Sequence, residues 1–237
     1  MFYTFHRVLI INTREKIMKL VISLLLGAGV ILSNSAYAAT VYWADWTQSS
    51  NNTVSGFIDA LGTTVGINTS SSTTYHFVQT DGSGINYYLP SAPYISPAVE
   101  NAPSTSDIIA LNSAGTETIV FSTAVVDPLI ALVSWNGNTL EFNAPIEIVS
   151  YAPGYWGSGT PILNSTETGL FGSGDLHAVV RLKGTYNSIS FTHTSELWHG
   201  YTVGITAAVP EPETYGLMLL GLGRIGISAR RRNSQYA

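Results

Sequence analysis

Apolar and polar residues alternate with a period of two in several segments between Thr40 and Val209, which is the signature of half-buried strands. In "TETIVFS" Ile119 and Phe121 share one face, and in "GYTVGIT" Tyr201, Val203 and Ile205 do the same, so both read as strands buried on one side. "HAVVRLKGTYNSISFTHT" alternates twice. Ala178, Val180 and Leu182 point one way, and Ile189 and Phe191 follow suit after a turn over 184–187. The apolar run Leu129 to Trp135 suits a strand covered on both faces. Asn136-Gly137 follows it, and its tolerance of positive φ predicts a type I′ hairpin turn. The returning strand would bury Leu140 and Phe142 and expose Thr139 and Glu141.

Turn residues recur every eight to twelve positions, and no capped apolar stripe of helical period is present in this stretch. The pattern therefore predicts one all-β domain over 39–209, an antiparallel β-sandwich of jelly-roll type. Two patches, 89–106 with four prolines and 151–161 with its glycines, read as long ordered loops. There is no repeat of solenoid or propeller length.

Both ends break the pattern. Met18 and Lys19 precede an apolar run from Leu20 to Leu32 and then Ala36-Tyr37-Ala38, the layout of a signal peptide cut by signal peptidase after Ala38. Residues 1–38 are assigned to it, with Met18 as the expected start. The apolar run is shorter than the roughly 20 residues that span a bilayer. At the other end Pro210-Glu211-Pro212 breaks the strand pattern, because proline supplies no backbone donor. The segment Tyr215 to Ala229 follows. It would reach about 22 Å as a helix, against a hydrocarbon core of roughly 30 Å. Arg230, Arg231 and Arg232 would then stay on the cytoplasmic side. So short a span suits a temporary hold in the membrane rather than a permanent anchor.

These three parts in this order, over 210–237, resemble the PEP-CTERM sorting signal of exported Gram-negative bacterial proteins, a tail also catalogued as an ice-binding protein C-terminal motif. The resemblance implies recognition and cleavage by exosortase, with Pro210, Glu211 and Pro212 as the sorting motif and Arg230 to Arg232 as the membrane stop. It also implies delivery to the cell surface or an exopolysaccharide matrix. Arg224 stands where such tails carry an apolar residue, six positions before Arg230 and within snorkelling reach of the same interface. The body is similar to a group of PEP-CTERM proteins in "NAPSTSDIIAL", "TIVFSTAVVDPLIALVSW", "GYWGSG" and "ELWHGYTVGI". That likeness implies a shared fold and no particular chemistry.

Composition narrows the function further. Cysteine is absent, which removes disulfides, thiol nucleophiles and thiolate metal sites. Between Thr40 and Val209 two bases, Arg181 and Lys183, face twelve acids, a formal net of −10. Such a surface repels nucleic-acid phosphates and anionic lipid headgroups.

The histidines His76, His177, His193 and His199 are the first candidates for catalysis. Asp175 with His177, or Glu196 with His199, could form a carboxylate–imidazole pair that fixes one tautomer. The plainer reading makes His177 an outward-facing strand residue and "SELWHGY" a loop that packs its tryptophan. No nucleophile elbow, zinc-binding His-Glu-x-x-His or phosphate loop is present. "TDGSGINYY" offers Asp81 and Ser83 but lacks the further carboxylates of a calcium loop, so it reads as a solvated turn. No catalytic residue, metal or cofactor is therefore expected. Of five tryptophans, Trp156 in a glycine-rich loop and Trp198 could stack on sugar rings. Three readings follow: a non-enzymatic, exosortase-sorted surface or matrix protein; a carbohydrate-binding module that holds exopolysaccharide through Trp156 or Trp198; and a secreted hydrolase.

Overall fold

The structure, a computed structural model, describes residues 39–207. The signal peptide and the sorting tail lie outside these residues. Fifteen strands are present: β1 (Val41–Trp43), β2 (Asp45–Ser49), β3 (Thr53–Ala60), β4 (Thr63–Ser71), β5 (Phe77–Gln79), β6 (Ile108–Leu111), β7 (Gly115–Val126), β8 (Leu129–Trp135), β9 (Thr139–Phe142), β10 (Ile146–Tyr151), β11 (Gly159–Leu163), β12 (Gly169–Gly174), β13 (Leu176–Leu182), β14 (Thr185–His193) and β15 (His199–Thr206). They form two antiparallel sheets. One has seven strands in the order β10-β13-β8-β15-β6-β5, with β1 also paired to β15; the other has eight, in the order β11-β12-β9-β14-β7-β4-β3-β2.

The protein is an antiparallel β-sandwich. Its main core lies between the sheets, where the in-phase residues Ile119, Phe121, Ala178, Val180, Leu182, Ile189 and Phe191 pack together. From β6 onward the chain changes sheet at nearly every connection, a jelly-roll-like path. This path corrects the expected hairpin at Asn136-Gly137: β8 pairs with β13 and β15, whereas β9 pairs with β12 and β14. Gly137 does adopt a left-handed φ of 71°, but it turns the chain across the core instead of back along the same sheet.

A second apolar layer explains another difference. β15 is buried along almost its whole length rather than on one side. The proline-rich loop folds over the outer face of the seven-stranded sheet, and its Tyr88, Tyr94 and Val99 pack there on Leu129, Ala131, Val133 and Val179. The same cover makes Leu129–Trp135 buried at every position. Four prolines restrict the loop before it packs, which lowers the entropy lost on ordering it.

Candidate functional site

Antiparallel register brings several strand ends to one edge of the seven-stranded sheet. Leu176 at the start of β13 pairs with Trp135 at the end of β8, Gly200 at the start of β15 pairs with Val133, and Tyr151 at the end of β10 pairs with Ala178. Phe77 opens β5 opposite Ala110 of β6, next to the residue that meets His199. The segments leading into or out of these ends carry the aromatic residues, and there their rings meet.

Trp198 is the base of this cluster. Phe77 stacks on it with ring centroids 5.9 Å apart and planes 27° apart, and Tyr87 leans on it at 4.9 Å. Tyr87 also lies 6.4 Å from Trp156 and 5.1 Å from Tyr155. Trp156 stands 6.3 Å from Trp198 with the planes at 66°. The structure thus brings Trp156 and Trp198 together from segments 42 positions apart and joins them through Tyr87. Trp156 is 56% exposed and Tyr155 41%, whereas Phe77, Tyr87 and Trp198 are half-buried. Burial, and next the neighbouring Tyr155, raise the Tyr87 phenol above its ordinary pKa, which keeps it a neutral hydrogen-bonding group.

Each loop that supplies a ring is fixed from beneath. The Gln79 side-chain amide donates to the carbonyls of Ile85 (2.9 Å) and Ser106 (2.6 Å), and its oxygen accepts from the Ile85 N–H. The buried Asp107 carboxylate accepts the N–H groups of Trp46 (2.9 Å) and Gly82 (2.7 Å), and burial raises its pKa. Under the Trp156 loop, Gly154 rests on the ring of His177. A Cβ there would stand 2.3 Å from the imidazole, so only glycine fits.

His177 is fully buried, which corrects the outward-facing reading. The Tyr94 hydroxyl lies 3.3 Å from the Leu132 carbonyl, to which it can donate, and 3.1 Å from His177 Nδ1, which accepts from it in one tautomer and donates to it in the other. Desolvation lowers the His177 pKa to about 4, with Asp175 acting weakly against it. Asp175 instead accepts a hydrogen bond from Ser134 at 3.1 Å, so the candidate Asp175–His177 pair does not form.

Glu196 and His199 do come within reach of each other, with His199 buried in the sandwich. Glu117 Oε1 lies 3.4 Å from His193 Nε2, His193 Nδ1 lies 3.2 Å from His199 Nε2, and His199 Nδ1 lies 3.5 Å from Glu196 Oε2. The Tyr201 hydroxyl donates to the second Glu117 oxygen at 3.2 Å. Burial lowers the His199 pKa and the Glu196 contact opposes it; burial and then Glu117 push the Tyr201 phenol far up.

Glu117, Tyr87, Tyr155 and Phe77 are not singled out by sequence motifs. A signal for Glu117 is nonetheless there: it lies in phase with Ile119 and Phe121 on the face that β7 buries. Among the described residues no group of three acidic or histidine side chains is placed to hold a metal ion. No helix among them is long and apolar enough to cross a membrane.

Comparison with known proteins concerns the far end of the chain. Residues 208–232 match the family model of the PEP-CTERM protein-sorting motif. The chain carries a PEP-CTERM sorting signal. The motif marks an exported protein processed by exosortase and destined for the surface or the extracellular space. No curated protein and no solved structure matches the chain.

Proposed function

We propose that this PEP-CTERM protein is a non-catalytic component of the cell surface or exopolysaccharide matrix, and that its sandwich holds polysaccharide through the Trp156–Tyr87–Trp198 cluster. The observation that carries this reading is the convergence of five rings from four segments at one sheet end, with Trp156 the most exposed of them. Aromatic faces with polar rims suit the CH-rich faces of sugars. Polarity along the chain supports presentation of this face. β15 starts at His199 beside the cluster and ends at Thr206, so Ala207, from which the sorting tail continues, lies roughly 20 Å away along the strand. A domain held in the membrane by its tail would thus offer the cluster at its far end.

Signal peptidase removes residues 1–38 on this reading, and exosortase acts at Pro210-Glu211-Pro212 while the segment Tyr215–Ala229 is held transiently by Arg230 to Arg232. The test follows an epitope placed before Val209 through cell fractions. Replacing Pro210-Glu211-Pro212 by alanines should leave uncut protein in the inner membrane, and deleting the three arginines should let it pass unprocessed. Identical fractionation of the wild type and the Pro-Glu-Pro variant would contradict the sorting role.

A further inference from the structure

Resting on the reading of the cluster as a polysaccharide site, we propose that its ligand is an uncharged, soluble glycan chain, and neither an acidic polysaccharide nor a flat crystalline surface. The charge argument starts from the only two bases between Thr40 and Ala207. Arg181 Nη2 and Lys183 Nζ lie 3.3 Å and 3.1 Å from the same Glu147 oxygen, so both are spent on one carboxylate. They are also at the wrong end of the sheet. Arg181 pairs with Leu129 at the start of β8, whereas Leu176 pairs with Trp135 at its end. Six residues separate Arg181 from Asp175, roughly 20 Å of strand, against a screening length of about 8 Å in physiological salt.

The charged groups near the rings are acids. Asp175 Oδ2 stands 3.0 Å from where a Gly157 side chain would begin, against the loop of Trp156. Asp81 is exposed in the turn that leads to Tyr87, and Glu196 lies two residues before Trp198 with its carboxylate turned to His199 Nδ1 at 3.5 Å. His76 flanks Phe77 at 5.5 Å and meets the Asn112 amide at 3.0 Å. Uronate, sulfate or pyruvate groups would meet acids here without a guanidinium or ammonium to pair with, a like-charge contact that excludes wrong partners. Uncharged sugars need none: ring faces take the CH surfaces, and Asn86, Asn112 and the phenols of Tyr87 and Tyr155 can exchange hydrogen bonds with hydroxyls.

Ring orientation sets the second half of the proposal. A flat crystal face needs coplanar exposed rings; the half-buried Tyr87 lies within 24° of Trp156, but the two exposed rings, Tyr155 and Trp156, are inclined by 72°, and Trp156 and Trp198 by 66°. Inclined rings grip a single chain that can turn between them.

The experiment titrates the full-length chain with soluble uncharged glucan, mannan and galactan oligomers, with uronic-acid oligomers, and with crystalline cellulose. Binding of at least one uncharged oligomer is expected, changed less than twofold between low and physiological salt and weakened tenfold or more in Trp156→Ala. Uronic-acid oligomers should bind at least tenfold more weakly, and Asp175→Asn should narrow that gap while leaving the uncharged oligomer within twofold. Equal or tighter binding of the acidic oligomers, or retention on crystalline cellulose alone, with the same dependence on Trp156, would overturn the ligand class while leaving the polysaccharide site intact. Absence of binding to every glycan would overturn both.

Discussion

Trp198 and His199 are neighbours in sequence and belong to opposite regions of the molecule. Trp198 turns outward into the aromatic cluster, and His199 turns inward to the Glu117–His193 chain. Both regions combine aromatic rings with carboxylates, the mixture in which a sequence reader looks for chemistry. Burial separates them. Inside, Glu117, His193 and Tyr201 pair their polar atoms with one another and with His199 Nε2, as removal from water demands. Outside, Trp156 and Tyr155 keep ring faces free while their loops are fixed from below. Residues rich in catalytic potential therefore hold the sandwich together, and the plain aromatic ones are left free to meet a ligand.

Breaking the inner region should have the largest effect. Glu117→Ala leaves His193 and Tyr201 without their shared acceptor and should cost about 1–3 kcal/mol for each of the two donors left unpaired, read as a lower denaturant midpoint. Glu117→Gln keeps the shape and one acceptor and should cost less. Equal midpoints for the wild type and Glu117→Ala would show that the buried chain contributes nothing.

Proton uptake supplies the next largest effect. The His177 pKa falls to about 4 in the folded protein, and His199 is lowered too. An unfolded histidine near 6.5 takes a proton while the folded one does not, so stability is full above pH 6.5 and declines as pH falls toward 4. For His177 alone the loss is about 3 kcal/mol. His177→Gln should flatten that part of the stability–pH curve, and an unchanged slope would contradict the assignment.

Trp198→Ala acts on stability and binding at once. Its ring is half-buried against Phe77 and Tyr87, so the loss should be about 2 kcal/mol, below that for a fully buried tryptophan. Glycan binding should fall with it. A stability loss with full binding retained would place the ligand elsewhere.

Much of this division is legible in the sequence. Period-two alternation identifies β7, β13 and β14, and the apolar run identifies β8. Glycines around Trp156 mark an exposed ring. Sheet membership is harder to read, because Asn136-Gly137 suits a hairpin locally while each flanking strand finds its partners in a different sheet. Phase alone places Glu117, His193 and His199 inside, since each follows the buried set of its strand. Polar identity argues the other way, and only their mutual pairing resolves the conflict. Tyr87 is invisible in advance because Tyr87-Tyr88 gives two identical residues, one buried and one half-exposed, and nothing local says which joins the cluster.

The outermost ring is the smallest structural lesion and the most direct test. Trp156→Ala removes a side chain that is 56% exposed, so the melting midpoint should stay within the few tenths of a kcal/mol usual for surface changes. Calorimetric titration of an uncharged glycan into the wild type and this variant, beside their melting curves, separates binding from folding. The account predicts an affinity loss of tenfold or more, about 1.4 kcal/mol, at an unchanged midpoint. Undiminished binding by the variant would contradict the claim that this cluster is the protein's polysaccharide face.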